Sequence, residues 1–166
     1  KTWSNIPIAR GLKSSSVAAN AVALATVAAL KKSLDDLTLI NLGVDGTINA
    51  KVTITGAFDD ACASYFGGVV ITDNVKRKIV KRFAVSEDLA ILFHVPAKKT
   101  YTSSSDVRRM RSAASLVEIA YKEALKGNYW SALTLNGLIY SSTLGYNSSR
   151  ALDALMAGAL AAGLSG

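Results

Sequence analysis

The chain has 166 residues, of which 50% are hydrophobic and 19% are charged. That composition supplies enough apolar surface for one core or for two small lobes, and it excludes an intrinsically disordered chain. The formal net charge of +7 favours anionic partners without choosing between a nucleotide and a nucleic acid. Aromatic residues make up only 7%, whereas nucleic-acid modules usually interleave aromatic with basic side chains, so we expect no nucleic-acid partner.

Hydrophobic periodicity predicts helices at both ends of the chain and strands between them. In chain order we expect an extended arm at 1–10, helices at 17–32, 37–50 and 59–66, strands at 69–72, 79–83 and 89–95, and helices at 107–127, 129–144 and 148–162. The first helix is apolar nearly all round, which predicts a central position. The run at 89–95 is continuously apolar, which is typical of a central strand and would place His94 in the core.

The longest apolar run, at residues 17–30, is shorter than the ~20 residues that a membrane span needs, so we expect no membrane partner. Cys62 is the only cysteine, which excludes an internal disulfide and fits a cytoplasmic location. The start shows no apolar leader behind a basic stretch, so we expect no signal peptide. The missing initiator Met and an end that is a loop by composition predict a piece of a longer protein. We expect a lobe boundary near residues 86–88, which gives domains at 1–86 and 87–166.

A loop with the chemistry of an anion site precedes the first predicted helix. Gly11 permits a tight turn, Lys13 adds a positive charge, and the serines at 14–16 offer hydroxyl groups. The unpaired amides and the dipole at the start of a helix also attract anions. A serine-capped helix after a glycine turn would have the same local sequence, and the loop alone does not exclude it.

Three stretches resemble motifs of the GHMP kinases. Residues 7–16, PIARGLKSSS, resemble the second motif of that family, P-x-x-x-G-L-x-S-S-A. Residues 56–68, GAFDDACASYFGG, are similar to the segment with the catalytic Asp, and residues 158–166, GALAAGLSG, to the opening of the glycine-rich third motif. With Asn136-Gly137-Leu138, they are most similar to the archaeal-type shikimate kinase branch.

The resemblance implies an α+β, two-lobed GHMP kinase fold that is incomplete at both termini. One lobe would resemble the second domain of ribosomal protein S5 and bind ATP, the other would be ferredoxin-like, and the active site would lie between them. The implied reaction transfers the γ-phosphoryl group of ATP, with Mg²⁺, to the 3-hydroxyl of shikimate on the route to chorismate. Another GHMP kinase, acting on homoserine or mevalonate, and a nucleic-acid-binding module are the alternatives.

The same resemblance implies the site residues. Asp60 would be catalytic, and its neighbour Asp59, about 100° away around a helix, would not share its site. Ser15 and Asp45 would bind the metal. Apart from the resemblance, Arg108 is the expected contact to the substrate, because arginine binds carboxylates and phosphates bidentately. The ATP phosphates would lie against Pro7, Gly11, Leu12, Lys13, Ser14, Ser15 and Ser16. Without the resemblance, Asp59 and Asp60 would read as acids favoured by a helix N-terminus.

Overall fold

The computed structural model describes residues 1–95 and 107–165. The chain divides into two compact units, Lys1–Ser103 and Ser104–Gly166, and each is described here by itself. The first unit contains α1 (Ser14–Ala29), α2 (Asp36–Asn49), α3 (Phe58–Phe66), β1 (Val69–Asp73) and β2 (Lys78–Phe83). The second contains α4 (Val107–Ser112), α5 (Ala114–Leu125), α6 (Tyr129–Leu144) and α7 (Ser149–Met156). The described residues are therefore α+β, as predicted, while the lobe boundary near 86–88 stays a prediction.

The core of the first unit lies between α2 and α3. Ile40 and Val44 are four residues apart on one face of α2, and they meet Phe58, Ala61 and Cys62 of α3. These five side chains are almost completely buried. Full burial of a side chain as large as Ile or Phe contributes about 1.5–3 kcal/mol, so this cluster fixes the position of α3 on α2.

The two strands form an antiparallel hairpin that packs against α3. Its register pairs Val69 with Phe83, and a bulge between Ile71 and Thr72 shifts the pairs nearer the turn. Gly68, with φ of 67°, lies at the start of the hairpin, where an added Cβ would be 2.5 Å from the carbonyl oxygen of Phe83. The predicted strand pair is confirmed, and only glycine fits at this approach.

The predicted strand at 89–95 is wrong. These residues have no strand conformation, Leu92 is 93% exposed, and His94 is exposed rather than in a core. A strand needs a neighbour for its N–H and C=O groups, and within the described residues β1 and β2 pair only with each other. In the part of the chain that the structure describes, this apolar segment therefore has no strand partner.

The central position predicted for α1 is also wrong in this structure. The helix buries only two side chains, the polar Ser16 and Asn20, whereas Val22 and Leu24 are about half exposed. The helix begins at Ser14, three residues earlier than the apolar pattern indicates. Both α2 and α3 pack on it, and its small alanine side chains allow them to approach closely.

In the second unit, two of the predicted helix boundaries are wrong. The helix predicted at 107–127 is broken at Ala113 into α4 and α5, and the last helix ends at Met156. Gly137 of α6 touches Gly163, because a Cβ on Gly137 would lie 2.4 Å from the Cα of Gly163. Gly163, within the stretch that resembles the third motif, is therefore in backbone contact with α6. No helix among the described residues is both long enough and apolar enough to cross a membrane.

Candidate active site

The loop before α1 has an unusual backbone. Positive φ angles recur at every second residue, with 57° at Ala9, 73° at Gly11 and 58° at Lys13. Two of these residues are not glycine, and a non-glycine residue in the left-handed region is uncommon. Alternation of this kind turns successive N–H groups towards one concave side, and such a nest binds anions. The backbone thus supports the anion site that Gly11 and the serines predict.

The start of α1 has no side-chain cap. Its N-cap residue is Lys13, which is in the left-handed conformation and whose side chain makes no capping hydrogen bond, and no acidic residue lies in the first turn. By contrast, α2 is capped by Asp35, whose carboxylate accepts from the Thr38 amide at 2.9 Å. The reading of a serine-capped helix is therefore wrong, and no side chain caps the positive end of the α1 dipole.

The serines of the loop differ in accessibility. Ser14 and Ser15 are half-buried, whereas Ser16 is only 2% exposed. The hydroxyl groups of Ser14 and Ser15 can therefore reach a ligand directly. Ser16 is buried, so its hydroxyl is less accessible to a ligand. Pro7 is exposed and Leu12 is half-buried, at the outer side of the same loop.

Lys13 and Asp60 form an ion pair that joins the loop to α3. The Nζ atom of Lys13 lies 3.4 Å from the Oδ1 atom of Asp60, with side-chain exposures of 32% and 22%. Burial raises the pKa of the Asp60 carboxyl, and the negative charge of Asp59 adds to this, whereas Lys13 opposes it. A half-buried carboxylate with a raised pKa beside a lysine is suited to accepting a proton.

Asp59 faces a different neighbour, although it adjoins Asp60 in the chain. Its carboxylate accepts a hydrogen bond of 2.8 Å from the side-chain amide of Asn74, in the hairpin turn. The two carboxylates therefore have different partners, and the assignment of the catalytic role to Asp60 alone stays a prediction. Asp59 holds the turn against α3, and only Asp60 reaches the loop.

Asp45, the expected metal ligand, is ion-paired in this structure. Its Oδ1 atom lies 2.8 Å from the guanidinium of Arg77, which also donates to the Oδ1 atom of Asn41 at 3.4 Å. No group of three or more His, Cys, Asp or Glu side chains gathers in residues 1–95 and 107–165. A metal at Asp45 would compete with Arg77 for the carboxylate and take its other ligands from hydroxyl groups, water or phosphate.

Other candidates lie outside this cluster of residues. Arg108 is exposed at the start of α4 in the second unit, and its role in substrate binding stays a prediction. Cys62 is buried in the core, and burial raises the pKa of its thiol to about 11, so it is no nucleophile. Asn20, which is buried between α1 and α3, was not predicted. The one sequence feature that could have indicated Asn20 is that it is an amide residue within the alanine-rich sequence of α1.

Residues 1–68 match the model of the GHMP kinases N terminal domain. The match includes the loop, Lys13 and Asp60, and it confirms the resemblance inferred from the motifs. The whole chain is also similar to curated proteins named shikimate kinase. It is 49% identical over 171 residues to that of Methanobrevibacter smithii and 48% identical over 166 residues to that of Methanosarcina mazei.

A third relative, the shikimate kinase of Methanothermobacter thermautotrophicus, is 45% identical over 170 residues. These alignments include 99–100% of this chain but only 56–59% of the relatives. The chain thus spans a little over half the length of the curated relatives it matches. No solved structure matches it.

Proposed function

We propose that the full-length protein transfers the γ-phosphoryl group of ATP to the 3-hydroxyl of shikimate. The observation that carries this proposal is the Lys13–Asp60 pair, which stands 3.4 Å apart at the uncapped start of α1. An anion site and a candidate base are thereby adjacent, as phosphoryl transfer to an alcohol requires. The choice of shikimate rests on the names of the relatives.

The loop residues would hold the triphosphate of ATP. The amides of residues 11–16 would donate to phosphate oxygens, with Ser14 and Ser15 adding their hydroxyl groups. Lys13 would lie between the phosphate chain and Asp60, where its charge offsets the negative charge on both sides. Pro7 and Leu12 would shape the outer side of the loop. Phosphoryl transfer depends mainly on such positioning and neutralisation.

Asp60 would act on the acceptor hydroxyl. Its carboxylate accepts the hydroxyl proton, or orients the hydroxyl towards the phosphorus, as the oxygen attacks. Burial raises the pKa of this carboxyl, which makes it a better base than an exposed aspartate. Lys13 holds the Asp60 carboxylate through the ion pair and limits the rise in its pKa.

The donors for Mg²⁺ would be the hydroxyl of Ser15 and the carboxylate of Asp45. Bound Mg²⁺ would neutralise charge on the phosphates, and it usually takes only one or two carboxylates from the protein. The chemistry of this donor set therefore fits the ion, provided that Asp45 leaves Arg77, its partner at 2.8 Å. Because Arg77 and Mg²⁺ would compete for the Asp45 carboxylate, a substitution of Arg77 should change the affinity for Mg²⁺.

The proposal extends to the rest of the fold. We assign the first unit to the ATP-binding, S5-like lobe and the second to the ferredoxin-like lobe, in which Arg108 would meet the substrate carboxylate bidentately. We place the reaction in the cytoplasm, where ATP is available and an unpaired cysteine stays reduced. Support for the first lobe comes from the family match at residues 1–68.

Release of ADP by the full-length protein tests the proposal, with ATP, Mg²⁺ and a panel of alcohols. We expect release to depend on shikimate and the product to be shikimate 3-phosphate. Turnover of homoserine or mevalonate instead would refute the acceptor while keeping the kinase class. No alcohol-dependent release would refute the proposed function.

A further inference from the structure

Asn20 is the only side chain with an unpaired, fully buried polar atom among the described residues. It lies on α1, seven residues after Lys13, and is 5% exposed. Its Nδ2 atom donates to the carbonyl oxygen of Ala61 and to the hydroxyl of Ser64, both at 2.9 Å. Both acceptors belong to α3, and Ala61 directly follows Asp60.

The other side of the Asn20 amide fits against α2. The Oδ1 atom lies 3.1 Å from where a Cβ on Gly43 would be, so any larger residue at that position would press on the amide. Gly43 is buried in the middle of α2, where glycine is unfavourable for the helix. Asn20 thus occupies the point at which three helices meet, although its own oxygen lacks a partner.

An apolar residue would fill this space without leaving a buried oxygen unpaired, so packing alone does not account for Asn20. The two hydrogen bonds of the Asn20 amide instead fix the position of α3 relative to α1. Contacts with small apolar side chains allow α3 to slide along α1, whereas two hydrogen bonds fix one register. A slip of one residue would move α3 by about 1.5 Å and turn it by about 100°. Asp60 would then leave Lys13, its partner at 3.4 Å.

We propose that Asn20 is a positioning residue that holds the Asp60 carboxylate in register with the phosphate loop. This inference rests on the proposed function, because it assigns Asn20 a role in that same reaction. Asn20 contacts neither the phosphates nor the acceptor. It acts through the backbone of α3, one residue beyond Asp60.

Two substitutions in the full-length protein test this role. Asn20→Ala removes both hydrogen bonds to α3. Gly43→Ala keeps them but places a methyl group against the amide oxygen, and it favours the helical state of α2. Gly46→Ala is the matched control, because it makes the same change on α2 where a Cβ meets nothing within 4 Å. The Gly43 variant keeps the test open if Asn20→Ala fails to fold.

We expect Asn20→Ala and Gly43→Ala to lower kcat roughly 10-fold or more, as sub-ångström to ångström misplacement does, and to leave KM for ATP within about 3-fold. Gly46→Ala should keep both constants. In an Asp60→Asn background, Asn20→Ala should lower kcat no further, because the group it positions is gone. A purely structural role would give equal losses in both backgrounds.

The inference is overturned if folded Gly43→Ala and Asn20→Ala keep the wild-type kcat, or if Asn20→Ala lowers kcat equally with and without Asp60. Failure of the proposed function looks different, because the wild type itself then shows no shikimate-dependent ADP release. If the wild type phosphorylates another alcohol, the same comparison on that alcohol decides the role of Asn20. A wild type without any turnover would refute both.

Discussion

Replacing Asp60 by asparagine separates chemistry from folding at this site. The substitution keeps the shape of the side chain and removes its charge and basicity. Loss of a positioned acid–base group typically costs 10²-fold or more in rate, which is about 2.7 kcal/mol at 1.36 kcal/mol for each factor of ten. We therefore expect kcat to fall by roughly 100-fold or more, with little change in KM for ATP, because Asp60 would act on the acceptor hydroxyl and not on the phosphates.

The fold should tolerate the same change. Burial raises the pKa of Asp60 above its usual 3.8, so the folded chain holds this proton more tightly than the unfolded chain. The free energy of unfolding then declines as the pH rises from that value through the raised pKa. At pH 7 the ionised carboxylate destabilises the fold, and asparagine removes this cost. Lys13 is partly exposed and can be hydrated, so we expect Asp60→Asn to unfold at the wild-type temperature or above.

The assay measures shikimate-dependent ADP release in the full-length protein, together with thermal unfolding of each variant. Asp59→Asn is the matched control at the neighbouring carboxylate. It keeps an oxygen for Asn74 and loses only a charge near the start of α3, which costs about 0.3–1 kcal/mol, so kcat should be unchanged. Loss of turnover in Asp59→Asn with activity retained in Asp60→Asn would refute the reasoning.

Three further predictions follow from the contacts of single side chains. Lys13→Ala should weaken ATP binding and raise the pKa of Asp60 further, so the acid limb of the kcat/KM profile should shift to higher pH; an unshifted limb would contradict the pairing. Asp45→Asn should raise the Mg²⁺ concentration for half-maximal rate and Arg77→Gln should lower it, and no change in either would exclude Asp45 as a ligand. Cys62, with a pKa of about 11, should resist a thiol reagent at pH 8 until the protein unfolds, and rapid labelling of the native chain would contradict its burial.

Local signals in the sequence predicted much of the first unit. The boundaries of α2 and α3 agree with the prediction to within one residue, because periodic apolar positions and the glycines at 67–68 mark them. The hairpin followed from two short β-branched runs around a turn. The loop before α1 was predicted from its glycine, lysine and serines, although the left-handed conformation of Lys13 is a property of the folded backbone.

The failures concern features that depend on distant parts of the chain. An apolar run such as 89–95 forms a strand only where a neighbouring strand can pair with it. The local sequence does not indicate whether such a neighbour exists. The break at Ala113 has no glycine or proline to mark it. Asn20 escaped prediction because its hydrogen bonds reach 41 and 44 residues along the chain. The Asp45–Arg77 ion pair likewise joins residues that sequence reasoning treated separately.

The central claim is that the loop before α1 and Asp60 act on the two substrates of one phosphoryl transfer. A structure of the full-length protein with shikimate and a non-hydrolysable ATP analogue tests it most directly. The account predicts phosphate oxygens in hydrogen-bond contact with Lys13 and the amides of residues 11–16, and the 3-hydroxyl of shikimate about 2.6–3.2 Å from the Asp60 carboxylate. A triphosphate more than ~6 Å from the loop, beyond any direct hydrogen bond, would contradict it.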